Sequence, residues 1–242
     1  MDGFDPARSF GPDVARTYDD APRGDEAETV AFLANLAGSG PALEFAIGTG
    51  RIGLPLSECG TRVDGIELSQ DMVDQLRTKP GGAEIDVVVG DMSTADAPGN
   101  DYPLAYLVYN TIYNLLTQED QVRCFENAAR HLSDHGVFVV EAGVPAAWIR
   151  RDQFINVEKL TNDRVVLDVN RYDPVTQILD ESHISLTNDG VRLGPISCRL
   201  IWPSEMDLMA RIAGLRLVER SAGWKGEPFT AASERHVSVY TR

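Results

Sequence analysis

Apolar residues follow two rhythms along this chain, and the change from one to the other divides it. From Ala42 to Gly143, short apolar runs alternate with stretches in which apolar residues recur every three or four positions. The runs are Ala42-Leu43-Glu44-Phe45-Ala46-Ile47, Arg62 to Leu68, Ile85 to Met92, Tyr102 to Asn110 and Gly136 to Gly143, and they predict five strands. The last is almost wholly apolar from Val137 to Val140, as a strand buried on both faces would be. Asp25 to Ala37 and Leu54 to Cys59 read as helices, each followed by a glycine. Ser69 caps another, with Met72, Val73 and Leu76 at helical spacing. Thr117-Gln118-Glu119-Asp120 has the shape of a capping box ahead of Val122, Phe125, Ala128, Ala129 and Leu132. Strand alternating with helix predicts an α/β fold with a parallel sheet.

Past Gly143 the rhythm changes. Phe154 to Ile201 shows strand-like runs punctuated by Asn162-Asp163, Tyr172-Asp173-Pro174 and Asn188-Asp189-Gly190, with no convincing helix between them. This predicts an antiparallel meander inserted after the fifth strand. Ser204 then caps a helix from Glu205 to Ala213, stopped by Gly214, and Leu215 to Ser221 and His236 to Thr241 close the chain as strands. The expected organisation is a core of 1–150 and 203–242 with an insertion at 151–202.

A length of 242 residues, 43% of them hydrophobic, suits one domain carrying such an insertion. A net charge of −15 argues against a nucleic-acid partner and an anionic membrane surface. Cys59, Cys124 and Cys198 are too few and too scattered for a disulfide framework or a zinc site. His131 and His135 are four apart but have no evident third ligand, so no metal is expected. Without a signal-like or membrane-spanning run, a cytoplasmic protein is the default expectation.

The chemistry concentrates at strand ends. Gly48-Thr49-Gly50-Arg51-Ile52-Gly53 after the first strand satisfies the G-x-G-x-x-G pattern, which alone admits a nicotinamide dinucleotide. Glu44, just before the glycines, would repel a pyrophosphate and suits a ligand carrying an ammonium and a sulfonium. Glu67 ends the second strand 19 residues past Gly48 (67 − 48), near the spacing of a ribose-binding carboxylate. Asp91 ends the third.

These residues resemble motif I of the class I S-adenosylmethionine-dependent methyltransferases, hydrophobic-acid-hydrophobic-G-x-G-x-G, with Glu44, Gly48 and Gly50 matching. Ala46 stands where the first glycine is usual. Alanine occurs there in the aminosugar N-methyltransferase branch, which the chain looks most like, beside other small-molecule and peptide N-methyltransferases of natural-product pathways. The resemblance implies a Rossmann-like, mostly parallel sheet whose last strand is antiparallel, and S-adenosylmethionine as cofactor. It places the cofactor against Glu44, Ala46, Gly48, Thr49, Gly50 and Arg51 of the glycine loop. Glu67, Leu68 and Met72 follow at the ribose, Gly90, Asp91 and Met92 at the adenine, and Tyr109 and Asn110 near the methyl group. Residues 1–23 become a lid with Tyr18 against the ligand. Tyr113, Trp148, Tyr172, Arg199 and Trp224 are the acceptor-side candidates.

The acceptor implied is a small molecule or short peptide, with an amine favoured because amine methylation needs no strong base. Tyr113, His183, Glu141 and His236 are the catalytic candidates, and the sequence supplies the last three with no partner. An O-methyltransferase using a His or Glu base, a nicotinamide-dependent oxidoreductase and a non-catalytic methyltransferase-like binding protein remain as alternatives. The insertion, whose edge strands would otherwise be exposed, is expected to wall the acceptor pocket and to offer a homodimer contact.

Overall fold

A computed structural model describes residues 1, 3–20, 22–149 and 153–242. Its centre is a seven-stranded sheet built from β1 (Ala42–Phe45), β2 (Val63–Glu67), β3 (Asp86–Val89), β4 (Tyr102–Leu107), β5 (Leu132–Gly143), β10 (Arg216–Ser221) and β11 (Arg235–Thr241). The spatial order is β10-β11-β5-β4-β1-β2-β3. The first five strands pair in parallel, and β11 runs antiparallel to both β5 and β10. β1 and β2 are buried along their whole length, which is why their sequences lack the alternation of a one-sided sheet. Strand order reverses at β1, between β2 and β4, so the loops leaving β1 and β4 diverge and open a crevice at the carboxyl ends of the strands.

Helices cover both faces. On one side α3 (Glu26–Ala37), α4 (Gly53–Glu58) and α5 (Gln70–Arg77) contribute Val30, Leu33, Leu54, Leu56 and Leu76 to a core layer with Val63, Leu104 and Val139. On the other, α6 (Gln118–His131) and α8 (Pro203–Ile212) bring Phe125, Ala128, Met206 and Met209 against Leu43, Phe45 and Phe138. The caps explain where helices start. Ser69 accepts from Met72 N–H, and Thr117 accepts from Asp120 N–H as the capping-box pattern predicts. α8 departs from expectation: it begins at Pro203, with Trp202 rather than Ser204 at the cap position. β5 begins at Leu132, directly after α6, and its pairing with β4 shifts register opposite Pro103, which has no N–H to give the ladder.

The second sheet is a four-stranded antiparallel meander: β6 (Gln153–Leu160), β7 (Arg164–Asp173), β8 (Ile178–Thr187) and β9 (Gly190–Arg199). It begins just after α7 (Pro145–Trp148), and residues 150–152, part of the expected boundary, lie outside the described residues. The amino-terminal segment forms α1 (Pro6–Ser9), α2 (Pro12–Thr17) and a 3-10 turn at Tyr18–Asp20. Among the described residues no helix is long and apolar enough to cross a membrane.

Tyr113 locks the joint between the two sheets. It sits in a 3-10 turn, Thr111–Asn114, that turns its ring and Ile112 into the core. Its hydroxyl donates to the Gly143 carbonyl at 2.5 Å, and the Ile201 carbonyl lies 3.4 Å away. Those two carbonyls bracket the whole insertion. Tyr113→Phe leaves both unpaired in the interior and is expected to cost about 1–2 kcal/mol of stability. Urea denaturation reads this directly, and an unchanged midpoint would remove the joint.

Candidate functional site

A cavity of about 210 Å³ opens at the carboxyl ends of β1, β2 and β3, lined among others by Ala46, Gly48, Glu67, Leu68, Met72, Asp91 and Met92. Its far wall is Thr111, Asn114, Leu115 and Leu116, and Pro6, Phe10 and Tyr18 cover it.

Glu67 is the organising group. Its Oε2 accepts from Gly48 N–H and its Oε1 from Ser69 N–H, both at 2.8 Å. A carboxylate offers about four lone-pair positions, so two directions remain for ligand hydroxyls. Burial pushes the Glu67 carboxyl above its usual range, while the Ser69 and Gly48 N–H groups oppose the shift. Asp91 Oδ1 accepts from both Ser93 N–H and Ser93 Oγ–H at 2.7 Å, which steadies the carboxylate at the cavity wall. Ala46 adopts φ +54° and Gly48 φ +58°. A side chain is rarely held in that region, so Ala46 stores strain where glycine would carry none.

The glycine loop divides its duties differently from the sequence expectation. Glu44 is fully buried on the underside of the loop, where it accepts from Tyr106 Oη at 3.0 Å and from Gly53 N–H. Burial pushes its carboxyl well above the usual range. Strand alternation explains the outcome: Leu43 and Phe45 face one core layer, so Glu44 between them faces the other. Glu44 therefore supports the loop and does not reach the cavity. Gly50 has φ +78°, and a Cβ there would lie 2.4 Å from Leu76 Cδ1. The glycine thereby lets the loop pack closely on Leu54 of α4 and Leu76 of α5. Gly90 likewise sits against Ala95.

Thr49 and Arg51 hold the cover rather than line the cavity. Thr49 Oγ1 donates to Asp19 at 2.8 Å, Lys79 pairs with Asp19 at 2.6 Å, and Arg51 donates to the Tyr18 carbonyl at 2.7 Å. The Arg51 guanidinium also lies 4.7 Å from the Tyr18 ring centroid. Ser69 Oγ donates to the Phe10 carbonyl at 2.6 Å.

Tyr109 and Asn110 both take left-handed φ, 59° and 61°, and turn away into a neighbouring groove with Arg23, Glu141 and Trp148. Asn110 accepts from Gly143 N–H at 2.6 Å. Glu141 is spent in the same groove: it accepts from Tyr109 N–H at 2.8 Å and pairs with Arg23 at 2.9 Å. His236 is buried beside Ser238, and desolvation lowers its imidazole to about 4. Neither is placed to take a proton in the cavity. Tyr113 is fully buried with its hydroxyl committed, so it is a structural residue and not a cavity wall.

The acceptor-side candidates separate too. Arg199 is buried and bound to Gln121, Gln177 and Glu205, fastening β9 to α6 and α8. Trp224 is buried against Phe32 on the opposite face of the sheet. Trp148 packs edge-on against the Tyr113 ring, and Tyr172 borders a shallow cleft with Ile149 and Trp202. His183 is the exception among the base candidates, because its ring lies between Asp168 and Glu181. His131, four residues from His135, accepts from Ala97 N–H at 3.0 Å and meets the Asn127 carbonyl at 2.9 Å, so both ring nitrogens are used.

The sequence missed Pro6, Phe10, Thr111, Asn114, Leu115 and Asp120 in the cavity wall. The signal for Thr111 and Asn114 was available in retrospect. Two consecutive left-handed residues reset the direction of the chain, and the turn after them, not the strand end itself, faces the ligand.

A parallel sheet with this order, an acidic second strand end and a glycine turn beneath a cover define a nucleoside-binding α/β enzyme. Residues 42–136 match the family model described as a methyltransferase domain. The chain is 35% identical to the CcbJ methyltransferase of Streptomyces caelestis, with TM-score 0.91 and 98% of each chain covered. It is 28% identical to the cypemycin N-terminal methyltransferase of a Streptomyces species, over 83% of this chain and 82% of that protein. The fold also matches S-adenosylmethionine-bound CalS10, an amino pentose methyltransferase of Micromonospora echinaspora, at TM-score 0.69 and 20% identity, covering 95% of each chain. The chain belongs to the S-adenosylmethionine-dependent methyltransferases, and S-adenosylmethionine is its cofactor. The oxidoreductase and non-catalytic alternatives fall with that assignment.

The residues present fit that cofactor. Glu67 has lone pairs for two ribose hydroxyls, Asp91 can accept from an exocyclic amine, and Met72 and Met92 offer polarisable faces for a ring. Two outcomes test this. Glu67→Ala is expected to weaken S-adenosylhomocysteine binding by about 1.5–3 kcal/mol in calorimetry, a twofold change or less contradicting the assignment. Only the ionised carboxylate accepts from both hydroxyls, and its pKa is raised, so affinity should fall with acidification starting above the usual glutamate range. Glu67→Gln should lack that limb. Gly50→Val, in contrast, should unfold the loop and lower the melting temperature rather than spare the fold.

Proposed function

We propose that this methyltransferase N-methylates an amine on a small molecule or short peptide. The observation that carries this reading is the charge of the second sheet on its core-facing side. Glu181 and Asp168 lie there beside a row that seats on the core through Leu179 and Cys198. A carboxylate-bearing wall suits an acceptor that arrives as an ammonium. The similarity to the cypemycin N-terminal methyltransferase over most of both chains supports the same acceptor chemistry.

When bound, the cofactor supplies a methyl group on an already activated sulfonium. The protein's share is therefore position and exclusion of water. In this reading Phe10 and Tyr18 of the cavity lining cover the cofactor, Thr111 and Asn114 face the acceptor, and Glu67 holds the ribose. An amine attacks through its own lone pair once its proton is gone, so Glu141 and His236 can be committed elsewhere without loss.

A second reading, O-methylation, is favoured by one feature: His183 Nδ1 lies 2.5 Å from Asp168, the geometry of an oriented base. The two readings separate in one assay. S-adenosylhomocysteine release is followed with Ala-Ala-Ala, its N-acetyl form, glucosamine and N-acetylglucosamine. N-methylation predicts turnover of the free amines only, with a rate that rises as the amine deprotonates. Substituting His183, Glu141 or His236 singly should then lower kcat by less than about a hundredfold. A loss of several thousandfold at His183 would move the reading to a hydroxyl acceptor.

The opposite face of the second sheet exposes Ile155, Val157, Leu160, Val191 and Leu193. A two-fold axis would bring two copies of this apolar face together, and a homodimer is its proposed use. Light scattering should give twice the chain mass, and Val157→Glu should return the monomer; a monomeric wild type excludes this contact.

A further inference from the structure

Glu181, His183 and Asp168 were not expected to act together, yet one ligand atom from each lies within 4.8 Å of the others. Strand alternation puts Leu179, Glu181 and His183 of β8 on one face. Their partners are Tyr172, Asn170 and Asp168 on β7, and Cys198, Ile196 and Gly194 on β9. The inner end of this face is fixed to the site. Leu179 is in the core, and Cys198 Sγ lies 3.9 Å from Oδ1 of Asn114, which lines the cavity. At a rise of about 3.3 Å per residue, Glu181 lies roughly 7 Å and His183 roughly 13 Å outward along the strand from Leu179. α1 packs against β9 and gives Pro6 to the cavity.

The three groups are linked through the imidazole. Glu181 is half-buried, and its Oε1 meets His183 Nε2 at 3.2 Å. His183 Nδ1 meets Asp168 Oδ1 at 2.5 Å, and the His183 side chain is 52% exposed. Asp168 is nearly buried, beside Asn170. Glu181 stands between Leu179 and His183 along β8, and His183 is the member that reaches water.

We propose that Glu181 and His183 carry away the proton that an ammonium acceptor must lose before its nitrogen can be methylated, with Asp168 orienting the imidazole. This rests on the amine reading above. The ammonium N–H bond breaks, its electron pair stays on nitrogen and the proton passes to the Glu181 carboxylate. His183 takes it at Nε2 and releases it to water, which restores both groups. Burial raises the Glu181 carboxyl, His183 lowers it, and Asp168 and Glu158 raise it. Cys198 on β9 has its thiol pushed up to about 12, chiefly by burial, and burial likewise raises the Tyr172 hydroxyl, so both stay protonated and uncharged. A carboxylate so raised is a better proton acceptor than an exposed one.

Sinefungin tests the relay without knowledge of the acceptor, because it carries an amine-bearing carbon where the cofactor has its methyl-bearing sulfur. Calorimetry compares it with S-adenosylhomocysteine, which has no such amine. Glu181→Gln should weaken sinefungin at least fivefold and S-adenosylhomocysteine by less than twofold. His183→Gln keeps a partner for Asp168 but cannot carry a proton. It should lower kcat with Ala-Ala-Ala or glucosamine about tenfold at pH 7, with recovery by pH 9.5, where the free amine predominates. Unchanged sinefungin affinity overturns the relay and leaves N-methylation standing if those amines turn over. Equal weakening of both ligands makes the cluster structural, and wild-type turnover abolished by a chelator and restored by added divalent metal makes it a metal site; either overturns the relay. Turnover of hydroxyl acceptors alone overturns the relay and the amine reading together.

Discussion

The site depends on one buried carboxylate that joins two loops. Glu67 accepts from Gly48 N–H with one oxygen and Ser69 N–H with the other, so the turn after β1 and the start of α5 are held at a fixed separation. Burying that charge is unfavourable, and the two backbone donors offset part of the cost. The constraint propagates outward. Gly48 must take a left-handed φ to aim its N–H at the carboxylate, and Ser69 must sit at the helix start to aim its own. Glu44 and Tyr106 fill the space beneath the loop, where Gly53 is close enough to exclude a side chain.

The cover is tied to those same loops. Asp19 reaches Thr49 and Lys79, the Tyr18 carbonyl reaches Arg51, and the Phe10 carbonyl reaches Ser69. Several of these groups are partly exposed, and such pairs contribute little individually, of the order of 0–1 kcal/mol each. Their number, rather than any one of them, keeps Tyr18 over the cavity.

The α/β alternation was legible because buried parallel strands and amphipathic helices leave contrasting patterns. The meander was legible through its turns, Asn162-Asp163 and Asn188-Asp189-Gly190. Glu67 and Asp91 were readable as cavity carboxylates because strand ends at a switch point face the crevice. Glu44 lies beneath the loop because its side follows from the burial of Leu43 and Phe45, a property of the folded sheet that spacing along the chain does not carry. The placement of Tyr109, Asn110 and Tyr113 off the cavity was not legible, because two left-handed residues rotate everything after them. The neighbours of His183 lie 15 residues away on β7 and two away on its own strand. Only hairpin register brings Asp168 opposite it, and spacing along the chain does not reveal that register.

The decisive measurement is a crystal structure of the protein with S-adenosylhomocysteine. The account predicts both ribose hydroxyls within hydrogen-bond distance of Glu67 and the adenine amine on Asp91, with Glu44 still bound to Tyr106 beneath the loop. A ligand seated instead in the groove of Arg23, Glu141 and Trp148, or a ribose turned away from Glu67, would contradict it.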